Sequence, residues 1–165
     1  MMVTKNLQTG TILDSYTVYP KASARPVPAE VPIEIAKEFT EACTVLPDSE
    51  KASAALSRRC LQNILTTAGH VTKRDLNDQI DEVLPHLPTE IADSLHAVRN
   101  IGNFAAHPIK SKSTGEIVDV EPGEAEWNLD TLEELFDFYF VRPAVHAKRK
   151  AALNIKLTDA GKPTI

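Results

Sequence analysis

The stretch Arg99-Asn100-Ile101-Gly102-Asn103-Phe104-Ala105-Ala106-His107 closes a helical pattern that begins at Pro88, and its reading decides the fold. At about 100° per residue, Asp93, His96, Arg99, Asn100, Asn103 and His107 share one sector of a helix, while Ile91, Leu95, Val98, Ile101 and Ala105 share the opposite one. The helix is therefore amphipathic, with a polar face built from residues that are mediocre helix formers. Solvated faces normally carry Glu, Lys and Gln, so the Asn and His residues here call for a reason. One reason is a site, with Arg99 for an anion, Asn103 for hydrogen bonds and His107 for proton exchange near neutral pH. The other is a structural polar network. Pro108 disfavours helical geometry at His107, which places that histidine at a helix C-terminus, where the dipole favours the imidazolium.

Working outward, each flank reads as helix. Pro32 can open a first helix with Ile35, Phe39, Ala42, Cys43 and Leu46 at helical spacing, up to Pro47. Asp48 or Ser49 caps a second helix reaching about Thr67, whose stripe is Ala52, Leu56, Cys60, Leu61, Ile64 and Leu65, with Gly69 as its stop. A third helix spans roughly Lys73 to Leu84. After Pro108, two short strands are expected near Ile109–Lys112 and Glu116–Val120, joined at Ser113-Thr114-Gly115. Trp127–Val141 reads as a strongly apolar helix, and Pro143 opens a last, basic one. Before all of these, Pro20, Pro26 and Pro28 interrupt an extended N-terminal arm whose Thr11–Tyr19 segment suits a strand. The expected organisation is an arm over 1–31, a mainly α helical bundle over 32–157 with a small β-hairpin insertion near 109–120, and a tail over 158–165.

The 165 residues, 42% of them hydrophobic, suffice for one core. No apolar run approaches the roughly 20 residues of a membrane span, and the first residues lack a signal-peptide core, so a cytoplasmic protein with no membrane contact is expected. Cys43 and Cys60 lie within apolar helical patterns and read as reduced core residues. No close histidine pair, Cys-x-x-Cys or glycine-rich phosphate loop is present, so neither a metal nor another cofactor is expected.

A net charge of −5 argues against wholesale capture of nucleic acid, yet the charge is segregated along the chain. Ser113–Val141 holds nine carboxylates and no Lys or Arg, whereas Arg142–Lys156 holds Arg142, Lys148, Arg149, Lys150 and Lys156 and no carboxylate. The basic segment could meet phosphates or pair with the acidic one, within one subunit or between two. Arg58-Arg59 brings one guanidinium close to an apolar stripe, where a carboxylate such as Glu41 or Asp93 is the expected partner. Alternatively, Arg58 reaches the polar face and enlarges an anion site around Arg99.

The strings Ala52–Gln62, Arg99–Pro108 and Val120–Trp127 resemble the bacterial domain of unknown function numbered 4145, over about Pro28 to Ala152. That family is similar to the HEPN superfamily of α-helical domains, many of them dimeric and some of them metal-independent RNA endonucleases. The resemblance implies a HEPN-like bundle, a homodimer, and a restriction or phage-defence setting. Carried onto this chain, the nuclease residues are Arg99, Asn100 and His107. The spacing departs from the pattern, since seven residues separate Arg99 from His107 where the nucleases have four to six. Their eight-residue step is a rise of roughly 12 Å, long for two groups gripping one phosphate.

The expectation is thus a non-catalytic homodimerising module whose polar face, with Arg58, His96, Arg99, Asn100, Asn103 and His107, binds nucleic acid, a nucleotide or a protein partner. One alternative is a metal-independent RNA endonuclease. In it His107 moves the proton of a 2′-hydroxyl attack, Arg99 stabilises the phosphate charge and Asn103 positions the ribose or phosphate. The other alternative is a purely structural polar network at a dimer interface.

Overall fold

Residues that cannot continue one conformation start the next, and they set the element order of this chain. The computed structural model describes residues 2–5, 12–16, 25–106, 109–114, 116–118, 120–121 and 123–165. Strands β1 (Met2–Lys5) and β2 (Ile12–Tyr16) pair antiparallel, Met2 opposite Tyr16. Helix α1 (Ile33–Val45) opens behind Pro32, whose φ of −55° suits a helix start, and buries Ile35, Phe39, Ala42 and Cys43. Ser49 caps α2 (Glu50–Thr67), its hydroxyl accepting the Ala52 N–H at 3.2 Å. The chain leaves α2 through Gly69, where a Cβ would lie 2.7 Å from the Leu65 carbonyl oxygen, so only glycine fits that close approach.

Helix α3 is Leu76–Val83, shorter than the expected span from Lys73. Asp75 is its cap, accepting the Asn77 N–H at 2.8 Å. The carbonyls of Lys73 and Arg74 are taken by the side-chain amides of Gln79 and Gln62, at 2.8 and 3.0 Å. Side-chain donors there replace the helical ones. A 3-10 turn, Leu84–His86, leads through Pro88 to α4 (Thr89–Ala106). Strands β3 (Ile109–Lys110) and β4 (Ile117–Val118) pair antiparallel, Ile109 opposite Val118. Helix α5 (Glu124–Phe136) begins earlier than expected, because Gly123 at φ 89° turns the chain into it. It ends earlier too, widening into a π-helical stretch, Asp137–Val141, before α6 (Arg142–Asp159).

The architecture is mainly helical, and α1, α2, α4 and α5 supply most of the packing. Phe39, Leu61, Ile64, Leu65, Leu95, Leu129, Leu132 and Phe136 are almost completely withdrawn from water. Phe39 and Phe136 meet edge to face with ring centroids 5.1 Å apart, tying α1 to α5. A second, smaller cluster joins Ala54 of α2, Ile101 of α4 and Ala125 of α5. These residues bring three helices together, with Leu46, Ala97 and Val120 packed against them.

Candidate functional site

Helix α4 divides as the periodicity predicts over its described side chains. Ile91, Leu95, Val98 and Ile101 are buried, while Asp93, His96 and Asn100 are exposed. Arg99 lies between the two faces, and its side chain is 21% exposed. It does not stand open toward solvent. Its Nη2 donates to the Asp81 carboxylate at 2.5 Å and to the Asn77 carbonyl at 3.1 Å, which fastens α4 to α3. Its Nε is buried without a hydrogen-bond partner. The guanidinium is therefore part of a packed interhelical contact, with its charge already met by a carboxylate. Asn103 belongs to α4, but its side chain, like the whole of His107, lies outside the described residues.

The expected partners of the Arg58-Arg59 pair are replaced. Arg59 Nε pairs with Glu38 of α1 at 3.1 Å, and the same carboxylate accepts a hydrogen bond from Asn63 Nδ2 at 2.6 Å. Among the described residues neither Glu41 nor Asp93 takes that role, since the exposed Arg59 meets Glu38, one turn before Glu41 on α1. Arg58 is half-buried, and its Nη1 is withdrawn from water with no hydrogen-bond partner. The Ser57 hydroxyl on α2 and both ends of the Asn128 amide on α5 likewise stand in the interior without hydrogen-bond partners among the described residues. Both residues are fully buried. They sit one turn along from Ala54 and Ala125 on their own helices. Asp81, Asn77 and Asn128 were not singled out from the sequence. Asn128 left a readable signal, as the lone amide in the apolar series Ala125, Leu129, Leu132.

Cys43 and Cys60 are both buried thiols. Burial pushes Cys60 up to about 12, helped by the charge of Glu38, and its Sγ donates to the Ile35 carbonyl at 3.8 Å. A thiol so held is not a nucleophile at neutral pH. Arg25 grips Asp130 and Glu133 of α5 at 2.6 and 2.9 Å. Burial opposes the Arg25 charge, but the hydrogen bond and charge of Asp130, with that of Glu133, outweigh it and raise its proton affinity. Among the described residues, no group of three or more His, Cys, Asp or Glu is placed to hold a metal ion, and no helix is long and apolar enough to cross a membrane.

Comparison with known proteins adds one finding. The family described as Domain of unknown function (DUF4145) matches residues 40–156, from within α1 into α6. No curated protein and no solved structure matches the chain.

Proposed function

The chain belongs to the DUF4145 family, and from that premise and the geometry of α4 we propose a non-catalytic, homodimeric helical module of HEPN-like architecture that binds a protein partner through its polar α4 face. The carrying observation is the Arg99–Asp81 pair. It neutralises Arg99, the one Lys or Arg of α4, and leaves Asp93, His96 and Asn100 as the groups that helix presents to solvent among its described side chains. A face of that kind offers a phosphate no unpaired positive charge, whereas mixed hydrogen-bonding groups suit a protein surface. The proposal includes the β insertion after α4 as a frame for the site, a cytoplasmic setting, and Asn103 and His107 as the continuation of the face. Binding of nucleic acid or a nucleotide at the same face is the disfavoured form.

The RNA endonuclease reading keeps one observation in its favour, since Arg99 Nε is buried without a hydrogen-bond partner on α4, the helix that precedes His107 in the sequence. It requires Asp81 to release the guanidinium. Two experiments separate the readings. First, the purified protein and His107→Ala are incubated with a mixed RNA pool in excess EDTA, and products are examined for 2′,3′-cyclic phosphate ends. We expect no cleavage by either protein, and cleavage abolished in the variant would overturn the non-catalytic reading. Second, a photo-crosslinking side chain at Asn100 is expected to yield protein adducts in cells. RNA adducts would move the site to nucleic acid, and no adducts at all would sink the binding reading.

A further inference from the structure

Helix α6 has 18 residues and none of them is buried. A helix of that length in water is marginal by itself, and most helices in proteins are held by burying one face. Here Val145 is 39% exposed and Ile155 65%. With Val141 and Ala152 they fall in one sector of about 80°, a seam of apolar and small side chains along the helix. Lys148 lies within that seam, and Arg149 and Lys156 border it. Arg142 pairs with Asp137 at its root. Among the described residues Lys148, Arg149, Lys150 and Lys156 make no ion pair, although Arg25, Arg59 and Arg99 all do.

The charge on α6 has a complement within the same molecule. Arg142–Asp159 carries five Lys and Arg and one carboxylate, a net +4 in a chain whose total is −5, which leaves −9 on the remainder. At the root of α6 lies a groove of about 450 Å³, lined by Glu90 and Ile91 of α4, by Glu133 and Glu134 of α5, and by Asp137 and Arg142. Glu90 and Glu134 make no ion pair among the described residues. A straight helix carries Arg149 and Lys156 roughly 10 and 21 Å along its axis from Arg142, away from their own groove. A second chain lying antiparallel brings them back to it.

We propose that α6 is the arm of a two-fold homodimer in which each arm lies along the other's seam and places Arg149 and Lys156, at the seam's border, against Glu90 and Glu134 in the acidic groove of the second copy. The inference rests on the homodimer reading above and names its surface. Because donor helix and acceptor groove are both on every chain, the exchange closes at two copies. Both contacts are charge pairs near solvent, so the assembly weakens with salt, while the seam of Val141, Val145, Ala152 and Ile155 supplies apolar contact that salt does not screen.

The test is a charge swap, read as mass by light scattering after size-exclusion chromatography, with helical content followed by circular dichroism. The full-length protein is expected to be dimeric at about 0.05 M salt and to dissociate at least about tenfold more readily at about 0.5 M. A variant with Arg149→Glu and Lys156→Glu, and a second with Glu90→Lys and Glu134→Lys, are each expected to be monomeric. Mixed together they restore a dimer, because each reversed arm then meets a reversed groove. Ile155→Asp, which alters only the seam, is expected to weaken the pair without changing the charge balance between arm and groove. A monomeric full-length protein at low salt overturns the inference. Two variants that stay dimeric also overturn it, and they leave the homodimer reading standing on another surface. Failure of the mixture to reassociate overturns it as well.

Discussion

Asp81 is 62% exposed and Arg99 only 21%, so their pair sits at the boundary between a surface and a buried ion pair. A double-mutant cycle of Arg99→Met and Asp81→Asn, followed by urea unfolding, is expected to give a coupling of about 0.5–1 kcal/mol. A coupling near zero would show that the pair does not hold α4 to α3. Asn128 makes the opposite argument, since both ends of its amide are buried without a partner. Replacing a buried unsatisfied group by an apolar one of similar volume removes a desolvation penalty, and Asn128→Leu is expected to stabilise the fold by about 1 kcal/mol, seen as a raised Tm. A lowered Tm would mean that the amide has a role the packing does not reveal. Cys60 predicts a pH dependence. Its folded-state affinity for the proton is raised from 9.0 to about 12, so its contribution to stability is complete below about pH 9 and is lost as the pH climbs toward 12. Because the unfolded state releases the proton first, stability falls by up to about 1.4 kcal/mol per pH unit in that window. Cys60→Ala should flatten the slope in alkaline urea titrations. The sequence alone identified Cys60 and Arg99 as notable but not their neighbours, because Asp81, Glu38 and Ile35 are brought to them only by helix packing.

At the scale of the element, starts and stops were the most legible features, because they depend on side chains a few residues away. Ser49 was one of two residues expected to cap α2, and its hydroxyl accepts the Ala52 N–H. Ser49→Ala is expected to cost about 1 kcal/mol in chemical denaturation, while Asp48→Ala should not remove that cap. Gly69 was expected to stop α2, and the reason is now specific: an added Cβ would meet the Leu65 carbonyl and also Val83. Elements whose limits depend on distant groups were harder to read. The start of α3 moved from Lys73 to Leu76 because Gln62, a residue of α2, claims the Arg74 carbonyl. The π-helical stretch at Asp137–Val141 had no signal in the periodicity, since a single wider turn leaves the apolar spacing of Phe136 and Phe140 nearly intact.

For the whole molecule, the division of charge along the chain becomes a division in space. The arm α6 buries no residue of its own chain, so a chain ending after Ala147 is expected to lose less than about 1 kcal/mol of stability in high salt while losing the ability to pair. A large loss of stability would place α6 in the core of a single copy. The sequence by itself determined the helical class, the order of the main helices, the inward stripes of α1 and α4 and of the second half of α2, where Cys60, Leu61, Ile64 and Leu65 are buried while Ser53, Ala54 and Ser57 replace the expected Ala52 and Leu56, and the segregation of acidic from basic residues. All of these follow from periodicity, proline and charge, which are local properties of a chain. Only the tertiary structure decided that Arg99 is spoken for by Asp81, that Arg59 faces Glu38, that Ser57 and Asn128 are buried without hydrogen-bond partners among the described residues, and that Lys148, Arg149, Lys150 and Lys156 of α6 make no ion pair there. Those outcomes depend on which helices pack together and at what height, and no spacing within one helix can fix the neighbour its side chains will meet.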